Sequence, residues 1–291
     1  EAIAVETDVK WRSRLLATAS ILHSISGDPD RCRDMFLDAV DGLAPGDDHA
    51  ACEVLPYAYM ALGHPDDLLA REAAAADLLR SARRTGDRAA EWEANHLRCS
   101  VAMFRGDGPA LRTAFDECER LLADAGAAGR RWSNRYLAAA IAAIDERYDD
   151  AESLTEDVLA TGSGVAPARA MSAASGQLLG IRWQQDRLEE LADALEHLIA
   201  EQPEIPAWRA AGSLASADRD PDRAAQLFDD VVVDGGVTLP RDFVWLAGVL
   251  CLGAAAGRLG DPNRARRVLP HLAPYTHLTC WQGTCTYGPV A

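Results

Sequence analysis

The chain has 291 residues, of which 48% are apolar and 25% charged, and a formal net charge of −16. That balance is enough to bury an extended core in water, while the acidic excess opposes nucleic-acid binding, which needs Lys and Arg against phosphates. No apolar run reaches the ~20 residues that span a bilayer, so neither nucleic acid nor membrane is expected as a partner.

A short polar turn followed by an apolar-periodic helix recurs at Asp28, Pro65, Asp107, Asp149, Asp186, Asp220 and Asp261, at intervals of 34 to 42 residues. Each turn follows a second helix of similar length. Such a period marks stacked helical hairpins, in which no single unit buries its own apolar face. In chain order the expected pairs are 8–25 with 29–43, 48–62 with 65–84, 87–105 with 108–125, and 129–146 with 149–161. The remaining pairs are 166–184 with 187–201, 206–218 with 221–234, and 241–259 with 262–274. The one β-branched run, Val231-Val232-Val233, closes a helical pattern before Gly235-Gly236.

The turns have their own chemistry. Gly27-Asp28-Pro29 and Gly260-Asp261-Pro262 put glycine at the end of one helix, aspartate at the N-cap of the next and proline at its first position. Arg219-Asp220-Pro221 keeps the cap and the proline, and Gly106-Asp107 keeps the glycine and the cap. Packing positions recur as well. Hairpin six carries Trp208, Ala211, Gly212 and Ala215, then Ala224, Phe228 and Val231. This order of bulky residue, small pair, alanine and aromatic knob is similar to the tetratricopeptide repeat. Hairpin seven fits with Val249, Leu252, Gly253, Ala256, Ala265, Leu269 and Leu272, and Phe36, Phe115 and Phe228 share one repeat position. Hairpins two and five fit poorly. The fold expected is all-α: a right-handed α-solenoid of about seven tetratricopeptide-like hairpins over residues 1–275, followed by an incomplete element, 276–291. The last stretch offers Leu278, Trp281 and Tyr287 but ends before a second helix, so it is expected to pack poorly or only as an incomplete cap.

Seven scattered cysteines, most on apolar helix faces, read as reduced, buried thiols of a cytoplasmic protein. The chain begins at Glu1 without methionine and shows no signal peptide, which predicts a piece of a longer protein.

Catalytic signals are weak. Paired acids such as Asp66-Asp67 and Asp149-Asp150 point about 100° apart on a helix and do not converge as an acid–base couple. His271, His277, Cys280 and Cys285 match no standard zinc spacing, and Cys-x4-Cys alone is a poor metal signal. Neither glycine turn, Gly162-Ser163-Gly164 nor Gly235-Gly236, is followed by Gly-Lys-Ser/Thr, so no Walker A pattern exists. His96, on a helix with Asn95 and Cys99, reads as a partly buried packing histidine. The seven tryptophans fall on first helices or in the final stretch, where packing is the expected role. No catalytic residue, cofactor or metal is expected.

The run Gln202-Pro203-Glu204-Ile205-Pro206-Ala207-Trp208-Arg209-Ala210-Ala211 carries a turn-and-helix signature. Leu239-Pro240-Arg241-Asp242-Phe243-Val244-Trp245-Leu246 carries another, followed by Leu259-Gly260-Asp261 and Leu272-Ala273-Pro274-Tyr275. In this order and spacing they resemble the helical-repeat region of large actinobacterial-type signalling ATPases. Those proteins join a STAND-type, AAA-like ATPase module to a tetratricopeptide-like region, often with a nucleotide cyclase or a LuxR-type DNA-binding domain. The resemblance covers most of the chain, with its motifs concentrated from about residue 200 onward. It implies a non-catalytic sensor or scaffold arm. The partners implied are other domains of the same regulator, a partner protein or a small inducer. A free-standing adaptor and a helical enzyme with a buried site are the alternatives.

In tetratricopeptide arrays the first helix of each hairpin lines the concave face. The inward positions map onto Glu53, Tyr57, Met60, Glu93, His96, Ser100, Asn134, Arg182 and Arg209. These residues are the candidate partner-binding surface, with an ordinary solvated helix face as the other reading.

Overall fold

The structure, a computed structural model, describes residues 9–24, 27–125, 128–164 and 166–291. It is mostly helical. Two compact units emerge: unit 1 comprises residues 1–126 with the returning segment Pro240–Phe243, and unit 2 comprises 127–239 and 244–291. Positions 8 and 25, the expected ends of the first helix, lie outside the described residues.

Unit 1 contains α1 (Val9–Ser20), α2 (Pro29–Asp41), α3 (Asp48–Val54), α4 (Ala58–Ala61), α5 (Leu68–Thr85), α6 (Arg88–Arg105) and α7 (Gly108–Ala125). Consecutive long helices pack in pairs: α1 with α2, α5 with α6, α6 with α7. The expected single helix 48–62 is broken. Pro56 lacks the N–H that would continue α3, and Leu55–Tyr57 tighten into a 3₁₀ turn before α4. Phe36, Leu55, Leu62, Leu78 and Leu97 form the core between α2, α5 and α6. Each such side chain, fully buried, contributes about 2 kcal/mol. Leu16, Ala17, Met35, Ala39 and Val54 join α1 to α2 and α3. The returning segment belongs to this unit: Arg241 pairs with Asp66, and the Phe243 backbone lies where a Cβ on Gly63 would stand 2.8 Å away.

Unit 2 contains α8 (Ala128–Ile144), α9 (Tyr148–Ser163), α10 (Pro167–Gln184), α11 (Ala192–Glu201), α12 (Ala207–Ser216), α13 (Pro221–Asp229), α14 (Trp245–Arg258) and α15 (Pro262–Leu272). It also contains two antiparallel hairpins, β1 (Val232–Val233) with β2 (Gly236–Val237), and β3 (Thr279–Trp281) with β4 (Thr286–Pro289). First helices pack on second helices, α8 on α9 and α12 on α13, and also on one another, α8 with α10 and α12 with α14. Small residues permit the close contacts. A Cβ on Gly212 would meet Ile199 at 3.0 Å and Leu227 at 3.1 Å, and one on Gly253 would meet Leu272 at 2.9 Å.

The capping aspartates behave as the turns predict. Asp28, Asp107 and Asp220 each accept a backbone N–H three residues on, and Asp261 accepts from both Asn263 and Arg264. Gly260 supplies the left-handed residue before the Asp261 cap, at φ +61°. Two turns shift phase. Glu146 takes the left-handed position at φ 59°, which leaves Asp149 inside the first turn of α9. Asp186 is itself left-handed at φ 56° and ends α10 rather than capping the next helix.

The end of one expected helix and the C-terminal element are β-structure. The helix expected over 221–234 ends at Asp229, because Val231–Val233 favours a strand and Asp234-Gly235, both at positive φ, closes a tight hairpin. The C-terminal stretch forms β3 and β4 with Cys280, Trp281, Cys285 and Tyr287 buried, which corrects the expectation of poor packing. Side chains alternate between half-buried and buried over 284–288, the strand period of β4, whereas in β3 the adjacent Cys280 and Trp281 are both buried. Leu269, placed by the repeat pattern on the packing side, is exposed, and Leu272 is buried.

Among the described residues no helix is long and apolar enough to cross a membrane. All seven cysteines are free and buried. Arginines that neighbour one another in sequence pair with acids: Arg83 with Glu91 at 3.2 Å, Arg84 with Asp48 at 3.4 Å, and Arg267 with Asp229 at 3.1 Å.

Candidate functional site

The residues mapped to a concave face fall into different environments. In unit 1 Glu53 is exposed and paired with Arg14, and the Tyr57 hydroxyl lies 3.3 Å from Thr18 Oγ1. Met60 and Glu93 are half-buried. His96 and Ser100 are 5% and 0% exposed, so they line no open surface. Tyr59, just after the break at Pro56, lies over His96 of α6. The His96 ring is stacked between Tyr59 at 4.5 Å and Trp92 at 4.9 Å.

The same break helps to enclose a cation. Arg71 of α5 is 2% exposed, donates to Ser100 Oγ at 3.2 Å and to the Tyr59 carbonyl at 3.2 Å, and faces the Tyr59 and Phe104 rings. Burial lowers its pKa to about 10, which leaves it charged at neutral pH. Burial and the Arg71 charge together push His96 down to about 3, so that ring is neutral. Ser100 donates its own proton to the Leu97 carbonyl at 2.9 Å. Arg71, Ser100, His96 and Tyr59 thus form a buried polar core whose bonds tie α5, α6 and the broken helix together. Ser100 and His96 carried a sequence signal as repeat positions. Arg71 carried none, because a helical arginine is ordinarily a surface residue.

In unit 2 Asn134 is buried on α8. Arg182 is engaged inside the unit, donating to Glu152 Oε2 at 3.0 Å and pairing with Glu190 at 3.1 Å; the Arg182 pair holds Glu152 below the usual carboxylate range. Arg209 donates to the Pro203 carbonyl at 3.1 Å. These three residues share no constellation.

The polar contacts that do converge in unit 2 involve other residues of a first helix. On α10, Gly176 and Gly180 stand one turn apart and let the β3–β4 hairpin approach the helix. A Cβ on Gly176 would reach Gln282 Nε2 at 2.6 Å, and one on Gly180 would reach the Tyr287 ring at 3.2 Å. Between them Gln177, 2% exposed, donates to the Tyr136 carbonyl of α8 at 2.8 Å and the Thr284 carbonyl of the hairpin at 3.1 Å. Cys285 Sγ lies 3.2 Å from the Gly176 carbonyl, and the rings of Trp183 and Tyr287 are 5.8 Å apart. Strand β3 rests on α14. Burial pushes the Cys285 thiol up to about 12, so it stays protonated and unreactive at neutral pH. The sequence marks Cys285 and Tyr287 only as a weak metal signal and as an incomplete terminal element, and it does not mark Gly176, Gln177 or Gly180. The available signal was the Gly-x-x-x-Gly spacing in the hairpin that fitted the repeat pattern poorly.

No protein-family model matches the chain, and no curated protein matches it.

Proposed function

We propose that the chain is a non-catalytic arm of a multidomain ATP-dependent signalling or transcriptional regulator, working in the cytoplasm. In this reading its hairpins follow a right-handed, tetratricopeptide-like solenoid, and its first helices hold polypeptide. The observation that carries the reading is in unit 2, where α10 and α14, both first helices, hold an extended hairpin. Gln177 meets the hairpin through a backbone carbonyl, which is how a surface grips a strand with little regard to its sequence. The capped helical pairs and the motifs beyond residue 200 support the regulator context. The buried polar core of unit 1 supports a structural role over a catalytic one, since the Ser100 proton is held by a main-chain carbonyl and His96 is packed between rings.

The test is turnover by the purified chain. ATP hydrolysis and nucleotide cyclisation should stay at the level of a protein-free blank. Turnover that co-purifies with the chain and is abolished by substituting a chain residue contradicts the reading.

A further inference from the structure

We propose that Gly176, Gln177, Gly180 and Trp183 of α10 form a groove for an extended polypeptide segment, and that residues 279–289 fill it in cis as an exchangeable occupant. The inference rests on the reading that first helices hold polypeptide, and it adds the site, the occupant and a regulatory consequence.

Three observations carry it. The first is the manner of contact. The groove meets the hairpin through main-chain groups as much as side chains: Gln177 takes the Thr284 carbonyl, Cys285 Sγ meets the Gly176 carbonyl, and the Thr286 carbonyl lies over Gly180. Main-chain recognition accepts any strand of suitable shape. The second is an incomplete fit. On the groove side Gln177 Oε1 is buried without a hydrogen-bond partner, and on the occupant's side Trp281 Nε1 is buried without one as well. A buried carboxamide that gives its N–H to a strand carbonyl while its oxygen accepts nothing makes half of the backbone pair it is built to make. The hairpin therefore leaves bonding capacity that a better-matched strand would use. The third is the tie to the rest of the chain. Thr276 and His277, which lead into the hairpin, are exposed, so the hairpin is joined to α15 by a short surface turn.

The groove also states what it prefers. Gly180 receives an aromatic ring, and Gln177 receives a carbonyl three residues before that ring. The partner that fits is an extended segment with an aromatic side chain three residues after a free backbone carbonyl. Such a segment competes with 279–289, so the hairpin acts as an internal brake on binding.

The experiment places a site-specific protease sequence at the Thr276–His277 turn of the full chain and cuts it after folding, under reducing conditions. The probe is a fluorescein-labelled peptide of residues 278–290. A tethered occupant acts at a millimolar effective concentration, so the cut chain is expected to bind the probe at least about tenfold more tightly than the uncut chain. Helical circular dichroism should persist after the cut segment leaves. Gly180→Val in the cut chain should remove probe binding, because the added carbons collide with the position of the Tyr287 ring. The inference is overturned if the cut segment never exchanges with excess probe, or if its release collapses the helical signal. Non-exchange leaves the broader reading standing, because the first helices still hold a strand. Equal binding of the probe to the cut wild-type and Gly180→Val chains overturns the inference, because the probe then binds outside the groove, and turnover by the purified chain is what tests the broader reading.

Discussion

Phe228→Ala lowers the unfolding free energy of unit 2 by about 4 kcal/mol, and Phe36→Ala does the same to unit 1. Both rings are essentially inaccessible to solvent, Phe36 at 1% and Phe228 at 0% exposure. Removing either deletes a full aromatic contact set and leaves a cavity that helices of fixed spacing close only in part. Phe228 also supports two guanidinium groups, with Arg264 at 5.6 Å and Arg267 at 5.8 Å from its ring centre. Phe115 occupies the equivalent repeat position on α7 but is only half-buried. Phe115→Ala therefore costs less than half as much. Urea unfolding of the three variants, followed by circular dichroism, gives the comparison. A loss below about 1 kcal/mol at Phe36 or Phe228 contradicts the packing described for that unit.

Acidification weakens unit 1 before carboxylates begin to titrate. His96 has an ordinary value of 6.5 when unfolded and about 3 when folded, because burial and the Arg71 charge oppose its protonation. Between those values the unfolded chain binds the extra proton. Stability is therefore complete above pH 6.5 and falls as the pH drops toward 3. By pH 5 the loss from His96 alone is on the order of 2 kcal/mol. His64 adds to it, since burial and Arg241 lower it to about 4 despite the opposing charge of Asp66. His96→Phe keeps a ring between Tyr59 and Trp92 but cannot titrate. Thermal melts at pH 7 and pH 5 should show a clear drop for the parent chain and a smaller one for the variant. Equal shifts in the two proteins would mean that His96 is not the titrating group.

Features set by neighbouring residues are legible in the sequence, and those set by distant contacts are not. The aspartate caps at 28, 107, 220 and 261 are readable because a cap and its N–H lie three residues apart. The shifted turns at Asp149 and Asp186 were not, because a left-handed Glu146 or Asp186 has no sequence mark comparable to glycine. Pro56 was in plain view, yet the apolar period running through it argued for one helix, and proline won by removing a main-chain donor. Tyr59, just after that break, stacks on His96, a contact that no local signal marks. The strand nature of 279–289 was masked by its short length and by the helical period before it. Gln177 had no mark at all. Its partner Thr284 is 107 residues away, and only folding brings the two together.

The measurement that bears most directly on the regulator reading is the sequence of the reading frame on both sides of the codons for residues 1–291. The account predicts a Walker A motif, Gly-x-x-x-x-Gly-Lys-Ser/Thr, encoded upstream in the same frame. A frame that encodes this helical array alone contradicts it.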